Sequence, residues 1–454
     1  MMVTKKLTEG SFCKNILLYA IPLILSSMLS QVYSTVDGVI AGKFIGEYSL
    51  GAISAAGSFD TLFTSLFNGF CSGFAIYLSH LFGRGHYASI KQDIVGMSVF
   101  VAMISLGISI LAILFRNPIL DYLKVDPMLR RDTESYFVIY TAGYVIYFLN
   151  IILLHSLHSL GVTSFSLYVS ILSTVLNVAG NLLMITVFDM GVAGLAVATL
   201  LSSLAGTVCY VFLLRRAFRE MASEKVSYQF NFSCVRGSLR YSVPVAIQQL
   251  TFHGVGFVIS PSINALGAAT TTGYNISQRI YRFGTQSLWA TTSAIARYTG
   301  QCVGEGAVQK IRRGVRTGFG LVCAIVFPFV FGLMVFAEPV ASLFFPQGYT
   351  GEAYVLAVRY ASIYLPFVYI QLVGDFFHNY MRSLGRVNVV LGITVVGSIT
   401  RIAATLLLVP VMRLEGVFTG QIISWTVDMI LSLLLYFFFY RTEVHLSKLL
   451  QRAR

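Results

Sequence analysis

The sequence predicts an all-α integral membrane protein: twelve transmembrane helices in two six-helix lobes built as parallel repeats, with both termini in the cytoplasm. Three observations carry that expectation. First, 56% of the 454 residues are hydrophobic and 11% are charged, against about 25% charged in soluble domains. Second, the charges collect in short gaps between apolar runs of about 20 residues, the length at which a helix crosses a bilayer. Third, the chain repeats itself. Gly83, Gly85, Ile90 and Lys91 recur as Gly304, Gly306, Ile311 and Arg312, each 221 positions on. His158-Ser-Leu-Gly161 recurs as Arg382-Ser-Leu-Gly385, 224 on, and Gly191-Val192 as Gly416-Val417, 225 on. Pro22 and Pro244 head the two copies. An offset so nearly constant, and so close to half the chain, marks one duplicated unit. Duplicated hydrophobic halves are an architecture of secondary transporters, with the substrate site between the halves.

The runs lack the period-two alternation of barrel strands, and helices satisfy their own backbone hydrogen bonds in lipid. In the first copy they fall near 15–40, 53–80, 94–115, 133–157, 163–187 and 191–214. The first contains Pro22, and the second ends before the gap at Gly83-Arg84-Gly85. The third lies between Lys91 and Arg116, the fourth follows Arg130 and Arg131, the fifth follows Gly161, and the sixth runs from Gly191 to Arg215. In the second copy the spans fall near 239–262, 274–300, 315–337, 353–379, 387–410 and 416–440. The longest polar stretch, 215–238, separates the copies. The expected organisation is therefore an N-terminal lobe over 1–214, a cytoplasmic connector over 215–238 and a C-terminal lobe over 239–454.

Basic residues set the expected orientation. The termini and even-numbered loops hold 22 Lys and Arg, the odd-numbered loops 6, which places both termini in the cytoplasm. Six spans per copy is an even number, so the repeats are parallel rather than inverted. The net charge of +13 follows from the same rule and points away from nucleic acid, since no basic run is interleaved with aromatics outside the membrane. The six cysteines show no CxxC pair or metal spacing, so packing is their expected role. The first run has no clear cleavage site and fits a retained first helix rather than a signal peptide.

Several segments resemble one family. IPLILSSMLSQVYSTVDGVIAGKFIG (21–46) resembles the first helix of the multidrug and toxic compound extrusion (MATE) transporters, in which Pro opens the helix and Asp follows a Val about fifteen residues on. GQCVGEG (300–306) resembles that family's segment after the eighth helix, and LFGRG (81–85) its first-half counterpart. The resemblance spans essentially the whole chain. It implies two six-helix lobes around a central cavity, rocking between inward- and outward-open states, and export of organic solutes in exchange for Na⁺ or H⁺.

A charge inside a span costs about 2.5–3.5 kcal/mol on insertion scales, so each one is a candidate functional residue. Asp37 matches the family's acidic residue, and can hold a proton or supply the anionic ligand for Na⁺. Its expected partners are Asn177 and Asn181, which share a helix face at a spacing of four, and Thr199. The family often has Asp where Asn181 stands. One carboxylate with three neutral oxygens suits a hard cation better than a two-carboxylate proton relay. Interhelical hydrogen bonding is the alternative role for the two asparagines.

Asp60 is a candidate for pairing across the cavity, for binding a cationic substrate, or for an arginine ion pair. In the second copy, Gln248 and Gln371 stand where some relatives carry acids. Asp375 lies one turn beyond Gln371, Arg401 occupies the position equivalent to Asn177, and Arg279 and Arg282 lie within the eighth span. Either Arg401 is neutralised by Asp375 or Asp428, or the arginines line the cavity and meet an anionic group on the substrate. His155 and His158 lack a third ligand, so no metal site is expected apart from Na⁺ at Asp37. Tyr33, Tyr144, Tyr147, Tyr274 and Tyr281 are candidates to present ring faces to cations or drug-like rings.

The expected function is a secondary active antiporter of the cell membrane, exporting drug-like or cationic compounds in exchange for Na⁺ or H⁺, as a monomer without a cofactor. Its expected partners are membrane lipid and a small organic substrate. The alternative is a flippase for a lipid-linked saccharide or other polar lipid. An enzyme is disfavoured, because the chain lacks HExxH, a G-x-S-x-G elbow and a Walker loop.

Overall fold

Every predicted span coincides with a helix or with a bent succession of helices. The computed structural model describes residues 4, 6–40, 44–45, 47–122, 125, 127–221, 232–345 and 348–440. Its helices are α1 (Phe12–Ile40), α2 (Glu47–Arg84), α3 (Tyr87–Leu114), α4 (Arg116–Tyr122), α5 (Arg130–Ala142), α6 (Tyr144–Ser159), α7 (Ser164–Thr186) and α8 (Gly191–Glu220). They continue as α9 (Phe232–Asn264), α10 (Ala268–Glu305), α11 (Val308–Val335), α12 (Ala337–Ser342), α13 (Glu352–Arg359), α14 (Val368–Ser383), α15 (Val387–Met412) and α16 (Leu414–Leu435). No strand occurs among the described residues. Residues 222–231 of the expected connector lie outside them, and on either side α8 continues to Glu220 and α9 begins at Phe232.

Among the described residues, ten helices are long and apolar enough to cross a membrane, and eleven spans result if α5 and α6, bent by 49°, count as one. The bend falls at Gly143, where a Cβ would sit 1.9 Å from Leu200 Cδ2, so glycine admits α8. α10 is not among the ten despite its 38 residues, because its sequence is rich in polar residues, Thr272, Asn275, Arg279 and Arg282 among them. The tenth predicted span is interrupted: α13 passes through a π-turn at Tyr360–Tyr364 and a 3₁₀ turn at Leu365–Phe367 before α14. Pro366 explains the break, since it has no N–H for the helical ladder.

The chain divides into two compact units, one of Met1–Lys6 with Ile21–Ala246, the other of Leu7–Ala20 with Ile247–Arg454. α1 and α9 each change unit close to their prolines, Pro22 and Pro244. The first unit's core is built on α2, α3, α6 and α8, with Phe67 stacked on Phe148 at 3.8 Å and Phe74, Met97 and Leu157 fully buried. In the second, Tyr360, Phe376, Tyr380 and Met381 are buried, and α15 lies tight on α16. A Cβ at Gly416 would come within 2.6 Å of the Leu408 carbonyl carbon.

The duplication is written in the backbone of each unit. Gly85 and Gly306 have φ 76° and 72°, Gly161 and Gly385 have 82° and 80°, and the non-glycine pair Asp189 and Arg413 has 51° and 52°. Ser159 Oγ donates to the Ala75 carbonyl at 3.0 Å in the first unit, and Ser383 Oγ to the Ala296 carbonyl at 3.0 Å in the second.

Candidate functional site

The first unit gathers four predicted residues and one that the motif pattern did not single out. α1 and α7 are tied in one register. Ser26 Oγ lies 2.6 Å from Ser170 Oγ, Asn177 Nδ2 donates to Tyr33 Oη at 3.0 Å, and Asn181 Nδ2 donates to Asp37 Oδ1 at 2.5 Å, each pair 144 residues apart. Tyr33–Asp37 on one helix and Asn177–Asn181 on the other are both spaced by four, so each pair shares a helix face. The two faces meet rung to rung.

Cross-links complete the cluster. Asn181 Nδ2 also donates to Asn177 Oδ1 at 2.9 Å, and Asn177 Nδ2 to Thr199 Oγ1 at 3.3 Å. Tyr33 Oη lies 3.3 Å from Thr199 Oγ1. Gly180 makes room for α8: a Cβ there would lie 3.1 Å from Ala198 Cβ, and Thr199 follows directly. Asn177 and Asn181 are completely buried, whereas Asp37 is half-buried. Asn181 Oδ1 is buried with no hydrogen-bond partner among the described residues. Buried polar atoms are normally satisfied. An unpaired carbonyl oxygen next to a carboxylate is one of the oxygens a hard cation would take.

Asp60 belongs to a second group in the same unit. It accepts from Thr64 Oγ1 at 3.2 Å and from the Tyr144 hydroxyl, and no arginine pairs with it among the described residues. Tyr136 stacks on Tyr140 at 5.6 Å, and Tyr140 meets Tyr147 at 6.1 Å. The bend at Gly143 presents the tyrosines of α5 and α6 side by side. His155 and His158 have ring centroids 6.4 Å apart, with Ser166 Oγ 2.9 Å from His158 Nε2.

The second unit assembles the others differently. Gln248, buried, donates to Thr394 Oγ1 at 2.8 Å. Gln371 accepts from Tyr281 Oη at 3.0 Å and donates to Asp375 Oδ2 at 3.2 Å, and Trp289 also hydrogen-bonds Asp375. Arg382 acts electrostatically on both Asp375 and Asp428, and Asp428 Oδ2 lies 3.9 Å from His378 Nε2. Among the described residues Arg401 forms no ion pair, and its Nε is buried without a hydrogen bond. The arginine facing Asp375 and Asp428 is therefore Arg382. Arg401 instead lines a cavity of about 20 Å³ with Phe252, Ser424, Trp425 and Asp428. Gly397 makes that cavity possible, since a Cβ there would stand 2.7 Å from Asp428 Oδ1. Arg279 and Arg282 are exposed.

Sequence reasoning named Tyr33 only among five tyrosines for ring contacts, not as a partner of Asp37, although its spacing of four from Asp37 mirrors that of the asparagines. Thr64 and Trp289 had no pattern to reveal them.

Comparison with known proteins identifies the family and the fold. The family described as MatE matches residues 22–183 and again 244–407, one match per repeat. The chain is 22% identical to the probable multidrug resistance protein YoeA of Bacillus subtilis, over 76% of each chain. It is 24% identical to the probable multidrug resistance protein NorM of Thermotoga maritima, over 77% of each chain. Its fold matches the outward-facing structure of a multidrug resistance MATE family transporter of the MOP superfamily with a TM-score of 0.87, at 19% identity over 98% of both chains. With both matched blocks together covering well over half of its length, and one of them in each repeat, this chain belongs to the MatE family.

Proposed function

We propose that this multi-pass membrane protein is a secondary active antiporter, exporting organic, drug-like or cationic compounds in exchange for Na⁺ or H⁺ by alternating access. In this reading it works as a monomer in the cell membrane without a cofactor, with both termini cytoplasmic and the repeats near 1–214 and 239–454 as its transport lobes. Relatives named as multidrug resistance proteins support the substrate class. The observation that carries the coupling role is the unpaired Asn181 Oδ1 beside Asp37. A cation at Asp37 gains a carboxylate oxygen, the Asn181 carbonyl and the hydroxyls of Tyr33 and Thr199. Such a neutral-rich set with one charge favours Na⁺. Coupling follows if ion and substrate bind the two conformations unequally.

The test is efflux from proteoliposomes under separately imposed gradients. A Na⁺ gradient is expected to drive export, and Asp37→Asn to remove that drive. Export driven by a pH gradient alone, indifferent to Na⁺, would assign the proton instead. Efflux indifferent to both gradients would sink the antiport reading. The flippase alternative is favoured by one observation, the unpaired arginines of the second unit. It predicts scrambling of a phosphate-headed lipid in the same vesicles.

A further inference from the structure

α10 carries an unusual stripe. Between 270 and 290, every exposed position is polar: Thr272, Asn275, Arg279 and Arg282. The spacings of three, four and three put all four on one helix face. The opposite face is buried, including Ile276, Ile280, Tyr281 and Leu288. Exposed positions on the other spans are mostly Leu, Ile, Val and Phe, such as Leu106, Leu111, Val175 and Leu407. Guanidiniums within a membrane span face water or a partner rather than lipid, so this stripe lines an aqueous space.

Within the same unit the charge does not balance. Asp375 and Asp428 face Arg382, and Arg297 is hydrogen-bonded to Tyr19. Among the arginines of α10, α14 and α15 that leaves Arg279, Arg282 and Arg401, none of which forms an ion pair among the described residues. Arg282 and Arg401 converge: both act electrostatically on His253 and on Tyr281. Arg401 borders a cavity of about 20 Å³, which Asp428 also lines, and has a buried, unbonded Nε. Guanidiniums with free planar donors are matched by oxyanions, which accept two parallel hydrogen bonds.

We infer that Arg279, Arg282 and Arg401 form an oxyanion-recognition surface in the second unit, binding a carboxylate or phosphate group of the transported compound. The inference rests on the transport reading and narrows it to compounds that bear such a group, zwitterions included. A soluble organic acid and a lipid phosphate offer the same chemistry, and experiment separates them.

The chain's two tryptophans, Trp289 and Trp425, lie 6.3 and 5.8 Å from Tyr281, so their fluorescence reports on this surface. Full-length protein in detergent is titrated with para-nitrobenzoate, a quenching carboxylate, and with the para-nitrobenzyltrimethylammonium cation. Dihexanoylphosphatidate serves as the lipid-phosphate arm, scored by displacement of nitrobenzoate or by its own spectral shift. Saturable binding of either oxyanion is expected, weakened about tenfold or more in Arg279→Gln and Arg282→Gln and weakened less in Arg282→Lys, which keeps the charge but loses the planar fork. Binding of nitrobenzoate alone assigns a soluble acid, and binding of phosphatidate alone assigns a lipid headgroup. Equal binding by the arginine variants, with the fold verified by circular dichroism, overturns the inference, as does a preference for the cation. Loss of gradient-driven efflux with this binding intact would count against antiport only. Gradient-driven efflux without arginine-dependent quenching would count against this inference only.

Discussion

Asn181 holds Asp37 through its amide nitrogen, 2.5 Å from Oδ1, and keeps its own carbonyl oxygen buried and unbonded. One side chain thus both orients the carboxylate and offers a neutral ligand next to it. Satisfying that orphaned oxygen is part of what an arriving cation would contribute.

Asn181→Ala removes both functions. A hydrogen bond to a charged group is worth about 1.5–3 kcal/mol, so the cation concentration for half-maximal transport should rise about tenfold or more. Transport measured against Na⁺ concentration in proteoliposomes checks this, and an unchanged half-saturation would remove Asn181 from the site.

Asp37→Asn keeps the shape and the neighbouring donors but deletes the charge. Gradient-driven export should fall to the level of empty vesicles, while gel filtration and helicity stay as in the wild type. Coupled export surviving in this variant would move the coupling site elsewhere.

Asp60 stands apart from the Asp37 network, bonded to Thr64 and Tyr144. Asp60→Asn should therefore raise the substrate KM several-fold and leave the cation dependence unchanged. A shift in cation dependence of the same size as that of Asn181→Ala would instead join the two carboxylates into one site.

Gly416→Ala tests packing. The added methyl would meet backbone atoms of Leu408 and Val409 at 2.6–2.8 Å, and backbone cannot rotate aside. Overpacking costs about 1–3 kcal/mol, so the melting temperature in detergent should drop, with little change in cation affinity.

Helix positions and the repeat were legible because lipid forces long apolar runs and because duplication copies glycines. Asp37, Asn177, Asn181 and Thr199 were found through their chemistry and, for Asp37, through resemblance. Tyr33 hid among many tyrosines, since only the facing register of α1 and α7 selects it. That Arg382, and not Arg401, faces Asp428 could not be read from the chain: Asp428 and Arg382 are 46 positions apart, and their approach depends on how α14 packs on α16. The break at Tyr360–Tyr364 was hidden for a similar reason, as Pro366 predicts a local fault but not its extent. α10 read as a span by length and position, although its polar stripe departs from the composition of the others.

The constant offset of 144 residues at Ser26–Ser170, Tyr33–Asn177 and Asp37–Asn181 works like the marks of a vernier. A slide of α1 by even one residue against α7 would misalign all three marks together, and no smaller slide satisfies any of them fully. Motion of α1 in this unit therefore has two clean forms: it carries α7 with it, or it lets go of three rungs at once. An ion seated on the last rung would tighten the whole scale, turning a local binding event into an all-or-none decision about whether the helix moves.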